Sequence, residues 1–300
     1  MYCITLLIQE LRRMRTLTKT EEKQNKFLNL NLRTKTLLII VIAFLILFSV
    51  FVSNYFIDHT AVLTSNFYNI NQPPSFEHWF GTDWMGRDMF MRTLLGLGIS
   101  IGVGAFASII STIIAIILGI FSSVNTVIDE LVTAVIDLFG SIPHILLIIL
   151  VSLAFGGGYV GVVMAVGLTH WTPLARVLRA EIKKINTSEY IKLSEEFGKS
   201  KLWIAKKHIF PLIISQIIVG VILMFPHAIM HEASISFLGF GLPAHEPAIG
   251  IILSESMKYL SMGYWWLAFY PGLALLFLVL LFDLIGENVH KLLDPQSAQE

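Results

Sequence analysis

Apolar positions in this chain gather into long blocks separated by short polar segments. Six stretches, at about residues 36–57, 97–121, 131–155, 158–175, 212–233 and 264–285, are almost wholly apolar. A helix needs roughly 20 apolar residues to cross a hydrocarbon core about 30 Å thick. Within lipid the backbone must satisfy its own hydrogen bonds, and unbroken runs without two-residue alternation do so as helices. The pattern therefore predicts an all-α membrane protein with six transmembrane helices. The first stretch is too long for a signal-peptide core and lacks a small-residue cleavage site, so it reads as an anchor. Residues 1–13 read as a mis-assigned start, with Met14 rather than Met1 as the initiator.

The polar segments set an orientation. Eight of the 21 lysines and arginines lie in residues 12–35 and nine in residues 176–207. Excess positive charge marks cytoplasmic segments. Six spans with both the amino and the carboxyl terminus in the cytoplasm place both basic stretches on that side. Residues 58–96 then lie outside.

Composition agrees. Hydrophobic residues make up 55% of the 300 and charged residues 14%, and mean hydropathy is +0.73. Ordinary globular chains carry about 25% charged residues, so this one lacks the polar surface to cover itself in water. Zero net charge and the apolar excess argue against disorder and against nucleic acid as a partner. A single cysteine, Cys3, excludes an internal disulfide framework and a cysteine-based metal cluster. No repeat or low-complexity linker stands out.

The basic stretch between the fourth and fifth spans, residues 176–211, is long enough for two short helices. Asn186, Thr187 and Ser188 offer helix caps and Glu189 suits a first turn. Tyr190, Leu193, Ser194 and Phe197 fall at i, i+3, i+4 and i+7, one narrow apolar-leaning face. Gly198 suits the left-handed residue that ends a helix. A second helix runs from Ser200 to His208, with Pro211 at the entry to span five. Such a loop helix either rests on lipid, which Lys192, Lys199 and Lys201 would suit, or docks a cytoplasmic partner.

Two short motifs fail on inspection. Gly198-Lys199-Ser200 ends like a phosphate loop, but the glycine required five residues earlier is Leu193. His231-Glu232 opens like a zinc-protease helix, but Ile235 stands where the second histidine belongs.

Polar groups inside spans default to pathway or packing roles. His227, His231 and Glu232 lie toward the outer end of span five, and the two histidines, four apart, share a helical face. They either present imidazoles to a borderline metal or hydrogen-bond neighbouring helices. His144 and His170 read as the second kind.

Several blocks match a known family in order. The run Phe80-Gly81-Thr82-Asp83-Trp84-Met85-Gly86-Arg87-Asp88, followed by Arg92, resembles the Gly-Thr-Asp-x-x-Gly-Arg-Asp signature of permease subunits of ATP-binding-cassette importers for dipeptides, oligopeptides and nickel. Ser141-Ile142-Pro143, Ala175-Arg176, Arg179-Ala180-Glu181 and Glu232 through Gly239 fit as well. The resemblance covers about residues 35–295 and is to the second of that family's two paired permeases. It implies the type I importer-permease fold. Residues 1–35 would be a basic cytoplasmic segment, 36–290 the six-span permease domain with a coupling loop at about 183–211, and 291–300 a cytoplasmic tail.

In the family, a Glu-Ala-Ala-x-x-x-Gly loop followed by proline sits in a cleft of the ATPase. Gly198 and Pro211 hold the glycine and proline places and Tyr190 precedes them, but the triplet reads Lys192-Leu193-Ser194. The implied partners are a second homologous permease, two cytoplasmic ATPase subunits, an extracytoplasmic substrate-binding protein and the lipid bilayer, in a bacterial plasma membrane. No cofactor and no catalytic residue belong to this chain; ATP and magnesium would be bound by the ATPases.

His231 to Pro243, His245-Glu246-Pro247 and Ser254-Glu255-Ser256-Met257 look more like the nickel and metallophore branch than the peptide branches. They favour half of a pathway for nickel, cobalt or zinc as a chelate. The alternative within the family is dipeptide or oligopeptide import. An ion-coupled secondary transporter is the rival from another class, weakened by the scarcity of mid-span acids and of paired broken helices.

Overall fold

A computed structural model describes residues 32–122 and 125–293; the alternative start at Met14 lies outside them. Among these residues there is no β-strand, only an isolated antiparallel bridge between Thr82 and Asp88. The chain begins with α1 (Leu32–Phe56) and a short α2 (His59–Leu63). Asp58 caps α2, and its carboxyl is held below the usual value chiefly by the Thr60 hydroxyl. Then come α3 (Met89–Phe121), α4 (Thr126–Ser141), α5 (His144–Ala154), α6 (Gly158–Thr169), α7 (Thr172–Asn186) and α8 (Glu189–Glu196). The last are α9 (Lys201–Ile204), α10 (Phe210–Phe237), α11 (Ile249–Leu260) and α12 (Trp266–Leu293).

Five helical stretches are long and apolar enough to cross a membrane, and six if the bent pair α4–α5 counts as one. That pair corrects the expected straight span at 131–155. The two helices meet at 98° across Ser141-Ile142-Pro143, because the residue before a proline is driven out of helical geometry. Ile142 accordingly adopts an extended ψ of 136°. The fourth span is also broken, at His170-Trp171, and it continues to Asn186 rather than ending near residue 175. The fifth does not begin afresh at Pro211. A π-turn over Ala205–Ile209 joins α9 to α10, so a single stretch runs Lys201–Phe237. Pro211, which has no N–H to donate, follows just after this π-turn.

Packing centres on α3, whose buried face is built from small residues: Gly96, Ser100, Gly104, Ala107, Ser111, Ala115 and Gly119. Lipid tails are as apolar as leucine, so close backbone approach and interhelical hydrogen bonds hold such bundles together. Gly104 lies against Ile229 and Phe225 of α10, and Gly119 against Leu178 of α7. The Ser111 hydroxyl donates to the Gly167 carbonyl at 2.7 Å. By contrast α1 buries only a seam, Ala43 and Leu47, and turns Phe44, Leu45, Phe48 and Phe51 outward, as a helix with one face on lipid does. The helix α11, which the sequence reading left within a loop, buries Ile249, Gly250, Ile251, Ile252 and Ser256 and packs against α10 and α12.

Candidate functional site

Three groups of residues singled out in the sequence fall in three separate places. The first is the signature block in the loop before α3. Gly81 and Gly86 take φ of +74° and +73°, and a Cβ at Gly86 would overlap the Asn66 carbonyl, so both turns need glycine. These turns aim the Asp83 carboxylate at the backbone N–H groups of Met85 and Arg87, which donate at 2.8 and 2.9 Å. It also accepts from the Arg87 Nε at 2.7 Å and from Arg92 on α3. Thr82 binds the Asn69 carbonyl and accepts from the Gln72 N–H. Asp88 caps α3 through the Met91 N–H and meets His78 Nδ1 at 2.7 Å.

Arg92 is the largest fully buried side chain and reaches from Asp83 to Glu255 of α11, at 2.9 Å. The signature is therefore a knot that fastens the loop to α3 and α11. Glu255 is the member that motif spacing missed, since it lies 163 residues from Arg92.

The second group is the loop helix α8. Of the expected caps only Ser188 holds the cap position, and its hydroxyl turns back to the Ile185 carbonyl instead of capping. Gly198 closes the helix as expected, with φ +71°. Its N–H bonds the Glu195 carbonyl at 2.9 Å and that of Lys199 bonds Ser194 at 3.1 Å, a Schellman closure.

Ile191, outside the expected face, is the residue that anchors α8: it is buried, while Tyr190, Lys192, Leu193 and Phe197 are exposed, Phe197 at 80%. Ser194 bonds its own helix at the Tyr190 carbonyl and touches His208 at 3.4 Å. The His208 ring also packs against Tyr190 and Trp203, at 5.9 and 5.3 Å between centroids. The result is a braced helix that leaves Leu193 and Phe197 exposed. A positional pattern gives their shared face, but not which side faces inward.

The third group surrounds His231. The break at Ser141-Ile142-Pro143 puts His144 in the first turn of α5, and the break after Thr169 puts His170 at the end of α6. Both come against α10. Ring centroids lie 4.6 Å apart for His144–His231, 5.1 Å for His170–His231 and 5.2 Å for His144–His170. His227 touches His170 at 5.8 Å. The expected His227/His231 pair is thus part of a four-histidine cluster that also holds His144 and His170.

Glu232 points elsewhere. It is fully buried and accepts from Ser100 at 2.6 Å and Ser236 at 2.9 Å. Beside the cluster, a cavity of about 710 Å³ is lined by the polar residues His170, Ser215, Gln216, His227 and His290 and by apolar residues of α7, α10 and α12.

Known proteins place the chain. The family described as binding-protein-dependent transport system inner membrane component matches residues 111–298. The dipeptide transport system permease protein DppC of Bacillus subtilis is 32% identical over 253 residues, covering 84% of this chain and 79% of that one. The oligopeptide transport system permease protein OppC of the same organism is 32% identical over 234 residues, covering 78% and 76%. The glutathione transport system permease protein GsiD of Pectobacterium atrosepticum is 30% identical over 253 residues, covering 84% of each.

Proposed function

This chain belongs to the inner-membrane components of binding-protein-dependent transport systems, and from that premise we propose that it is one of two permeases in a bacterial ATP-binding-cassette importer of dipeptides or oligopeptides. The family, the helical importer-permease fold and the multi-pass inner-membrane location follow from the family match, the relatives and the apolar helices. The peptide cargo is supported by the relatives, whose names specify dipeptides, oligopeptides and glutathione, and it displaces the metal-chelate cargo favoured on sequence grounds.

The observation that carries the working mechanism is the exposed apolar face of α8, seated on Ile191 and closed by Gly198. Two ATPases of the cytoplasm would bind ATP and close. Their clefts would hold α8 of this chain and its counterpart in the second permease, and the bundles would rock between inward- and outward-open states. An external binding protein would deliver the peptide. This chain then supplies half of the pathway and takes no part in hydrolysis. Basic residues 176–207 lie on the cytoplasmic side in this arrangement, the side on which α8 must meet the ATPases. Lys192 in place of the family glutamate leaves the helix intact, since lysine and glutamate are comparable helix formers.

The test is uptake of labelled dipeptides and oligopeptides by a strain lacking this permease, with the wild-type chain restored or not. Loss on deletion and recovery on restoration are expected. Peptide uptake that ignores the deletion would remove the peptide reading.

A further inference from the structure

We propose that His144, His170 and His231 form a coordination site for a borderline divalent transition-metal cation inside the transmembrane bundle, with His227 beside it at the cavity wall. The inference goes beyond the peptide reading and rests on the histidine geometry alone.

One nitrogen from each of the three rings lies within 4.8 Å of the other two. A tetrahedral site with metal–nitrogen bonds of about 2.0–2.1 Å sets its nitrogens roughly 3.4 Å apart, so rotations of the rings on their own helices close the triad. The three ligands come from three helices, and each of two helix breaks delivers one of them.

Buried Glu232 has partners in Ser100 and Ser236, whereas Ser108 Oγ, Thr112 Oγ1 and Gln216 Oε1 are buried with none among the described residues. His170 Nδ1 is likewise buried without a hydrogen-bond partner among the described residues, and an unpaired polar atom in such surroundings is costly; a cation bound at Nδ1 would satisfy it. The donor set is imidazole only, which suits zinc, nickel, cobalt or copper and offers nothing to magnesium or calcium. Three ligands leave a position open, and the cavity reaches the cluster through His170 and His227, so the open position is accessible to water or a small ligand.

The test uses the full-length chain, purified with its partner subunits through a tag free of histidine, and titrated with Co²⁺ alone. Saturable binding of one Co²⁺ per chain, with the intense visible bands of a four- or five-coordinate site, is expected. His144→Ala and His231→Ala should each weaken it at least about tenfold, a loss that even outer-shell substitutions reach. His59→Ala, in the exposed α2, should leave it unchanged. X-ray absorption on the Co²⁺-loaded wild-type protein, which needs no variant to fold, should show three imidazoles. Binding that survives His144→Ala/His231→Ala, or fewer than two imidazoles around cobalt, would overturn the proposal. Peptide uptake measured on the same variants is read separately, so loss of either reading leaves the other standing.

Discussion

Replacing Asp83 by alanine tests whether the signature block is a structural brace. Asp83 is 3% exposed and Arg92 2%, and the carboxylate holds two backbone N–H groups and two guanidinium groups. Removing one partner of a buried ion pair costs about 3–5 kcal/mol, because the remaining charge stays buried and uncompensated. Glu255 retains part of Arg92's charge balance, which places Asp83→Ala toward the lower end of that range. Reversible unfolding in mixed micelles, followed by circular dichroism, measures the loss. Combining the change with Arg92→Met removes both charges, so the double variant should be more stable than the sum of the singles by about 1–3 kcal/mol. Additivity to within about 0.5 kcal/mol, or a negligible effect of Asp83→Ala alone, would refute the brace.

Five further substitutions have outcomes that follow from the same geometry. Gly156→Ala places a side chain at φ +84° in open space and should cost about 1–2 kcal/mol; Gly86→Ala adds an overlap with the Asn66 carbonyl and should cost more in the same unfolding assay. Ile191→Ala should loosen α8, with a stability loss of about 2–4 kcal/mol for a buried isoleucine. Phe197→Ser should leave stability within about 0.5 kcal/mol and lower the ATPase activity stimulated by loaded binding protein in the assembled importer. Gly198→Pro should reduce transport without reducing membrane insertion, measured by uptake and by the amount of protein in the membrane fraction, because it removes both the left-handed closure and the N–H that bonds Glu195.

What the sequence revealed depended on how local the cause was. The spans at 36–57 and 264–285 lie close to α1 and α12 because continuous apolar runs in lipid leave the backbone no other option. Gly198 was legible because left-handed closure is written in one residue. The 98° bend was present as Pro143, but a run of apolar residues on either side hides a break from any reading by hydropathy. The histidine cluster follows from that break and from the one at His170, so it required the three-dimensional path of three helices. The Arg92–Glu255 pair was illegible for the same reason. Ile191 was missed because in a helix of eight residues the apolar positions lie on more than one side, and only packing selects the buried one.

Transport driven by ATP through α8 is tested by peptide accumulation in proteoliposomes holding the two permeases, with the binding protein supplied outside. One set has the ATPases and internal ATP but no ion gradient; the other has proton and sodium gradients but no ATPases. Accumulation in the first set alone, abolished by Gly198→Pro, is the predicted result. Accumulation driven by a gradient in the absence of the ATPases would contradict the account and point to an ion-coupled transporter.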